Sequence, residues 1–192
     1  MNRKMKIFLW MATIVLISII FLLFLLPKGK KEGGELFVNL TVESIAFKHN
    51  EFIPSRYTCE GGNINPPLKL GNLDPKAVSL AIIMDDPDAP IGTFVHWVAW
   101  NIPPVSEIPE AIPKEAKVLR PLKMMQGKND FGRYGYDGPC PPPGHGIHHY
   151  HFKVYVLDAT LELKPGAGKR ELEKAMKGHI LQQGELVGLY RR

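Results

Sequence analysis

Short apolar runs of the kind found in β-strands dominate the hydrophobic pattern after residue 35. Leu36–Phe47 alternates apolar and polar side chains, which predicts a half-buried strand. Val78–Met84 is a nearly continuous apolar run, which predicts a strand buried on both faces. A second apolar strand is predicted at Phe94–Ile102, and a last short strand at Glu185–Tyr190. Strands therefore make up most of the predicted elements.

One proline- and glycine-rich stretch, Gly138–His151, interrupts this pattern and reads GPCPPPGHGIHHYH. Proline fixes φ and lacks an N–H donor, so this run cannot form a helix or an interior strand. It predicts a rigid loop that leads into a strand at His149–Asp158, where aromatic and β-branched residues are concentrated. A binding site and a proline-rich turn with surface histidines are both open interpretations of this stretch.

The two faces of that strand follow from the side-chain period of two. His148 and Tyr150 share a face with the apolar Phe152, so we expect both to lie at the mouth of the core. His149 and His151 then point the other way. The pattern thus singles out one imidazole and one phenol as inward-facing polar groups.

Helical spacing appears only near the C-terminus, over Lys169–Leu181, and Gly178 leaves the end of this helix open. Many short strands, 17 prolines and one late helix are typical of an all-β sandwich. We therefore predict an all-β fold class with a C-terminal helix for the domain, which we place at residues 35–192.

The N-terminal part has a different character. Ile7–Leu26 contains twenty residues without a charge, and a helix of that length spans about 30 Å, enough to cross a bilayer. Three basic residues precede this segment and no small-residue cleavage site follows it, so an uncleaved signal anchor with one transmembrane helix is predicted over residues 1–27. Residues 28–34 would form a charged linker. The flanking charges slightly favour a single-pass membrane localisation with the domain outside the cytoplasm.

The charge distribution limits the kinds of partner. The formal net charge is +5, but residues 1–34 hold 6 of the 24 Lys and Arg and only 1 of the 19 Asp and Glu. The remainder of the chain has 18 basic and 18 acidic side chains. A neutral domain without a basic cluster has no electrostatic footprint for nucleic acid, so no nucleic-acid partner is predicted.

Two cysteines, Cys59 and Cys140, are 81 positions apart and have no C-x-x-C spacing. They could form a disulfide outside the cell or remain thiols inside it. The sequence leaves this choice open.

Three polar groups stand out at or within the predicted strands. Asp86 and Asp88 lie in the turn DDPDAP, His96 lies inside an apolar strand, and His148 and Tyr150 start a third. Each group by itself has a structural explanation, since carboxylates are common in turns and a buried histidine usually makes a structural hydrogen bond. Their occurrence together in one domain favours a site.

The combination DPDAP…HW…GPCPPPGHGIHHYHFKVYVLD, with YTCEGGNINPPL and GHIL…GELVGLY, closely resembles the phosphatidylethanolamine-binding protein family, in particular its bacterial and archaeal, Raf-kinase-inhibitor-like branch. The resemblance extends from Leu36 to Tyr190. It implies a β-sandwich of two antiparallel sheets in Greek-key order, here preceded by the predicted transmembrane helix. It also implies that Cys59 and Cys140 lie near one end of the sandwich, and it allows a homodimer.

The resemblance further implies a small pocket for phosphate-like groups. Carried over by motif, the side chains of this pocket are Asp86, Asp88, Pro90, His96, Pro141, His148 and Tyr150. Imidazoles and a phenol can donate hydrogen bonds to an anion, and a protonated histidine adds charge. The carboxylates would orient the histidines by accepting hydrogen bonds from them, or share a proton with the ligand.

Three functions remain in competition. The first is a non-enzymatic binding protein for phosphate-like anions or phospholipid head groups, held at a membrane by the anchor. The second, implied by the resemblance, is an inhibitor of a serine protease or kinase partner. The third is a metal-dependent hydrolase, because Asp86, Asp88, His96 and His148 could bind zinc, although H-E-x-x-H and G-x-S-x-G are absent. We predict the first, with no catalytic residue, no metal and no cofactor.

Overall fold

The computed structural model describes residues 39–192, and within this range it contains ten strands, one α-helix and one 3₁₀ turn. The strands are β1 Thr41–Glu43, β2 Glu51–Phe52, β3 Leu68–Gly71, β4 Ser79–Asp86, β5 Phe94–Ile102, β6 Glu107–Ile108, β7 Lys117–Val118, β8 Met124–Gln126, β9 His148–Leu157 and β10 Ile180–Tyr190. The helix, α1, is Lys169–Met176, and the 3₁₀ turn is Ser55–Tyr57.

The strands form two sheets of unequal size. The larger sheet has seven strands in the order β2-β10-β9-β4-β5-β8-β7, and the smaller has three in the order β1-β3-β6. All pairings are antiparallel except that of β2 with β10, which is parallel. Strands β9, β4 and β5 lie at the centre of the larger sheet and are the strands that carry the candidate site.

Strand β4 is buried over its whole length because both faces of the larger sheet are covered. On one face Leu80, Ile82 and Met84 belong to the main core, which includes residues of the smaller sheet. On the other face Ala81 and Ile83 belong to a second core with Leu172 and Met176 of α1. The predicted strand at Val78–Met84, buried on both faces, is therefore confirmed, and helix α1 is the element that covers its outer face.

Two other predicted strands agree closely with the structure, whereas of the predicted strand Leu36–Phe47 only Thr41–Glu43 is a strand within the described residues. Strand β5 has the predicted bounds, Phe94–Ile102, and β9 begins one residue before the prediction. Along β9 buried residues alternate with more exposed ones, because side chains in a strand point to alternate faces. His148 and Tyr150 are buried on the face of Phe152, as the period of two predicted.

The C-terminal elements differ from the prediction in their boundaries. Helix α1 ends at Met176 rather than Leu181, and Gly178 follows with a φ of 87°, which only glycine adopts readily. Strand β10 then begins at Ile180 and not at Glu185. The longer β10 pairs along β9 from Ile180 to Tyr190.

The predicted fold class was wrong on two points. The sheets are not purely antiparallel, because β2 adds to β10 in parallel. The transmembrane helix is also corrected: Ile7–Leu26 lies outside the described residues, and over 39–192 no helix is long and apolar enough to cross a membrane. Helix α1 has 8 residues, about 12 Å, against the roughly 20 apolar residues that a bilayer requires. The fold is a mostly β domain with one helix near its C-terminal end, and the predicted single-pass membrane localisation is corrected with it.

Candidate functional site

A buried histidine–aspartate pair forms the centre of the candidate site. Strands β4 and β9 run antiparallel, with Asp85 opposite His151, so the end of β4 lies beside the start of β9. This places His148 Nδ1 2.7 Å from Asp86 Oδ2. The two side chains are 1% and 4% exposed. A carboxylate can only accept a hydrogen bond, so Nδ1 of His148 carries the proton and donates it to Asp86.

Tyr150 lies beside this pair, two residues further along β9, and is completely buried. Its ring stacks on that of His148 at a centroid distance of 6.4 Å and meets the ring of His96 edge-on at 5.2 Å. Burial, and next the negative charge of Asp86, raise the pKa of the Tyr150 hydroxyl well above its ordinary value. The hydroxyl therefore keeps its proton near pH 7 and can donate a hydrogen bond.

The Tyr150 hydroxyl is also without a hydrogen-bond partner among the described residues. The Asp86 carboxylate and the backbone of Cys140 are close enough to influence its pKa, but neither completes a hydrogen bond of normal geometry. Leaving a buried polar group unpaired costs about 1–3 kcal/mol, which makes such a group uncommon in a folded protein.

His96, in β5, supplies the second imidazole, and it is 3% exposed. Its Nδ1 lies 2.7 Å from the backbone oxygen of Asp137, so Nδ1 donates and Nε2 of the neutral ring carries a lone pair. The rings of Phe94 and Phe131 lie 5.3 and 5.5 Å from the His96 ring. Burial lowers the pKa of His96 against the opposing effect of the hydrogen bond to Asp137, so this imidazole is neutral near pH 7.

Asp137, which the sequence patterns did not single out, holds the segment that fixes His96. Its carboxylate is 3% exposed and accepts hydrogen bonds from four side chains, those of Asn63, Lys114, Asn129 and Arg133, at 2.7 to 3.1 Å. Burial by itself would raise the pKa of Asp137, but these hydrogen bonds outweigh it and lower the pKa. The only signal in the sequence is an acidic residue directly before the GPCPPPG motif, which resembles many ordinary turns.

Asp88 and Pro90, two of the predicted site residues, lie on the surface side of the cluster. Asp88 Oδ2 accepts hydrogen bonds from the backbone N and from Nδ1 of His149 at 2.8 and 2.7 Å. Partial burial works to raise the pKa of Asp88, but these hydrogen bonds outweigh it and lower the pKa. The backbone N of Asp88 donates to Asp86 Oδ1 at 2.9 Å, so the turn supports the buried carboxylate. Pro90 is exposed.

Pro141 is buried next to a disulfide that fastens the proline-rich loop. Cys59 and Cys140 are bonded, with their Cα atoms 5.4 Å apart. The backbone N of Cys59 also donates to the oxygen of Pro139 at 3.1 Å. The sequence left open whether these cysteines form a disulfide or remain thiols, and in the structure they form a disulfide.

His145 extends the buried pair towards the surface. Its Nδ1 lies 2.8 Å from Nε2 of His148, and its side chain is exposed. Asp86, His148 and His145 thus form a continuous hydrogen-bonded row from the interior to the solvent. His145 was visible as part of GHGIHHY, but strand periodicity could not include it because it precedes the strand.

Metal binding has no geometric support in the part of the chain that is described. No group of three or more His, Cys, Asp or Glu within residues 39–192 is arranged to hold a metal ion. The arrangement combines one hydroxyl donor, two imidazoles and one buried carboxylate. Such a set can bind a small polar group through hydrogen bonds.

Comparison with known proteins gives the family. The family model described as phosphatidylethanolamine-binding protein matches residues 43–191. The chain belongs to the phosphatidylethanolamine-binding protein family. A UPF0098 protein of Pyrococcus horikoshii is 64% identical over 170 residues, which cover 88% of this chain and 85% of that protein. A second UPF0098 protein, from Archaeoglobus fulgidus, is 50% identical over 161 residues, or 84% of this chain and 54% of that protein.

Two solved structures of the family are also similar to this chain. A phosphatidylethanolamine-binding protein homologue from Chlamydia trachomatis superposes with a TM-score of 0.71 at 36% identity and covers 80% of this chain and 98% of its own. YbcL of E. coli, described as a member of the mammalian family, superposes with a TM-score of 0.74 at 29% identity and covers 80% and 99%. The resemblance stated from the motifs is thereby confirmed.

Proposed function

We propose that this family member is a non-enzymatic binding protein whose small pocket takes phosphate-like anions or phospholipid head groups. The pocket residues proposed are those predicted from the motifs: Asp86, Asp88, Pro90, His96, Pro141, His148 and Tyr150. Of these, Asp86, His96, His148 and Tyr150 form the inner group, whereas Asp88 and Pro90 contribute from the exposed turn.

The observation that carries the proposal is the unpartnered hydroxyl of Tyr150. The ring that carries this hydroxyl packs against two imidazole rings, and the raised pKa keeps the proton in place. A ligand oxygen would satisfy this donor and remove the cost of leaving it unpaired. Anion oxygens are strong acceptors, since a hydrogen bond to a charged acceptor is roughly twice as strong as a neutral one.

The proline-rich loop that leads into β9 is held in place by contacts with other segments, which suits a binding site. The disulfide joins it to the segment around Cys59, and the backbone N of Gly138 donates to Asn63 Oδ1 at 2.7 Å. The backbone N of Gly144 donates to the oxygen of Arg192 at 3.2 Å. A preorganised loop lowers the entropy that must be lost on binding, which favours affinity for a small ligand.

Replacing Tyr150 by phenylalanine tests the proposal. Tyr150→Phe removes only the unpartnered hydroxyl, so the free energy of unfolding should stay the same or rise by up to about 1 kcal/mol. Affinity for inorganic phosphate, measured by calorimetry, should fall by about tenfold or more, because the donor to the anion is lost.

Tyr136→Phe is the matched control for this experiment. Tyr136 is equally buried, but its hydroxyl donates to the backbone oxygen of Tyr57 at 2.6 Å. Its removal should lower the free energy of unfolding by about 1 kcal/mol and leave the affinity for phosphate unchanged. If Tyr150→Phe instead destabilises the protein and binds phosphate as the wild type does, the hydroxyl has a structural role and the proposed site is wrong.

A further inference from the structure

We infer that this site selects an oxyanion that still carries a proton, such as a phosphate monoester monoanion, over an oxyanion of the same charge that carries none. The inference rests on the proposed function, because it concerns the same site and specifies the form of the anion that fits it. It follows from counting which atoms of the site can donate a hydrogen bond and which can only accept one.

His96 presents an acceptor, not a donor, to a ligand. Its Nδ1–H is committed to the backbone oxygen of Asp137 at 2.7 Å. A neutral imidazole has one N–H, so Nε2 then carries a lone pair. Burial opposes protonation of this ring, and it outweighs the hydrogen bond to the Asp137 backbone and the negative charges of Asp86 and Asp137, which favour protonation.

The pair of Asp86 and His148 adds further acceptor character. Asp86 is an acceptor in its ionised form and receives the Nδ1–H of His148 and the backbone N–H of Asp88. Nε2 of His148 is already paired with Nδ1 of His145 at 2.8 Å. When His148 is neutral, its Nε2 accepts from His145, because its single N–H is the one that Asp86 receives.

The inner group therefore offers one available donor, the Tyr150 hydroxyl, and at least one available acceptor, His96 Nε2. A phosphate monoester monoanion has one P–O–H donor and several acceptor oxygens, so it can satisfy both atoms. A sulfate monoester has acceptor oxygens only, so one of its lone pairs would face that of His96. A site that hydrogen-bonds a ligand proton discriminates against an analogue without it, because its own buried group is left unpaired.

Methyl phosphate and methyl sulfate are the probes that isolate this difference. They have the same shape, and at about pH 5 methyl phosphate is mainly a monoanion, since the second pKa of a phosphate monoester is about 6. Methyl sulfate is also a monoanion but has no proton. Any protonation of His145 or His148 at this pH acts on two probes of equal charge, so the ratio of their affinities reports the ligand proton. Burial lowers the pKa of His96, and repeating both titrations at about pH 6, where about half of the methyl phosphate is still a monoanion, checks that His96 remains an acceptor.

The measurement is calorimetric titration of the full chain with each probe. Methyl phosphate should bind at least about tenfold more tightly than methyl sulfate. In His96→Asn the amide nitrogen can still donate to the Asp137 oxygen, but the acceptor at Nε2 is gone, so the ratio should fall to near one. His179→Asn makes the same substitution at an exposed histidine, at the far end of β9 from the site, and should leave the ratio unchanged.

Each outcome distinguishes this inference from the proposed function. Equal affinities, or tighter binding of methyl sulfate, would overturn the inference and leave anion binding intact. If neither probe binds and inorganic phosphate also fails to bind, the proposed function and the inference are both wrong. If His96→Asn does not fold, the affinity ratio of the wild-type protein decides alone.

Discussion

Asp85 and Asp86 are adjacent at the end of β4, yet their carboxylates serve opposite faces of the sheet. Asp86 Oδ2 lies 2.7 Å from His148 Nδ1, on the side of the candidate site. Asp85 pairs on the other side with Lys153 at 2.8 Å and with Lys169, at the start of α1, at 2.6 Å. Neighbouring residues in a strand point to opposite faces, so one carboxylate supports the site and the other fastens the helix.

Replacing Asp85 by asparagine should weaken the fold without weakening the site. The Asp85 carboxylate is 1% exposed, whereas its two lysines are 31% and 25% exposed and can regain water. The free energy of unfolding should therefore fall by about 1–3 kcal/mol, as measured by denaturant titration. Affinity for phosphate should not change.

Asp158→Asn provides the control for that measurement. Asp158 pairs with His179 at 2.8 Å, but both side chains are 47% exposed. An exposed pair contributes little, so the stability should change by less than about 1 kcal/mol. Equal losses at positions 85 and 158 would contradict the importance assigned to the buried pair.

His148→Ala and His149→Ala form a second matched pair, because the two histidines are adjacent on β9 and point to opposite faces. His148 is 1% exposed and pairs with Asp86, whereas the side chain of His149 is 48% exposed and pairs with Asp88. Removing His148 should reduce the affinity for phosphate or phosphoethanolamine by about ten- to a hundredfold. Calorimetry should show a much smaller loss for His149→Ala, and equal losses would refute the proposed pocket.

The buried carboxylate of Asp137 should make stability depend on acidic pH. Its pKa is lowered in the folded state, so it contributes stability that is complete above the unfolded pKa of about 3.9 and is lost as pH falls through the folded pKa. Asp137→Asn should therefore be less stable than the wild type near pH 7, and the difference should shrink below about pH 4. Denaturant titrations across this range test the sign. A difference that stays constant down to about pH 2 would argue against an ionised Asp137.

Removing the disulfide should have a large effect, because Cys59 and Cys140 are 81 positions apart. In the chain-entropy model, closing a loop of this length stabilises by roughly 4–5 kcal/mol. The variant Cys59→Ser/Cys140→Ser should lose a comparable amount in denaturant titration, and a reductant should destabilise the wild type but not the variant. Detection of two alkylatable thiols on unreduced native protein by mass spectrometry would rule out the bond.

Residues 35–192 are proposed to fold as an independent domain. The two core clusters of the described range draw on residues from Leu40 to Tyr190, on both sheets and on the helix. A chain that begins at Gly34 should therefore be soluble and melt in one cooperative transition, as followed by calorimetry. Precipitation, or melting without a transition, would show that earlier residues belong to the fold.

Local patterns were sufficient wherever a feature depends on neighbouring residues. Strands β4, β5 and β9 were predicted within one or two residues, and the inward faces of His148 and Tyr150 followed from the period of two. The end of α1 was less well predicted. Apolar residues keep a helical spacing beyond Gly178, whereas the backbone has already left the helical conformation at that residue. The motifs that carry the family resemblance are also local and were read directly.

Features that join distant segments could not be predicted from local patterns. Asp85 was passed over because its partners are 68 and 84 positions away, and Asp137 because it fixes a histidine 41 positions earlier in the chain. Nothing local distinguishes Asp86, which is buried, from Asp88, which is largely on the surface.

The amino-acid sequence by itself determined the central strands β4, β5 and β9, their apolar faces and the family, because these depend on side-chain period and on short motifs. The tertiary structure alone decided the parallel pairing of β2, the Cys59–Cys140 bond and which nitrogen of His96 bonds to the backbone oxygen of Asp137. Each of these depends on an atom brought into contact from a remote part of the chain. Hydrogen bonds and disulfides form only over a few ångströms, so such contacts exist only once the chain has folded.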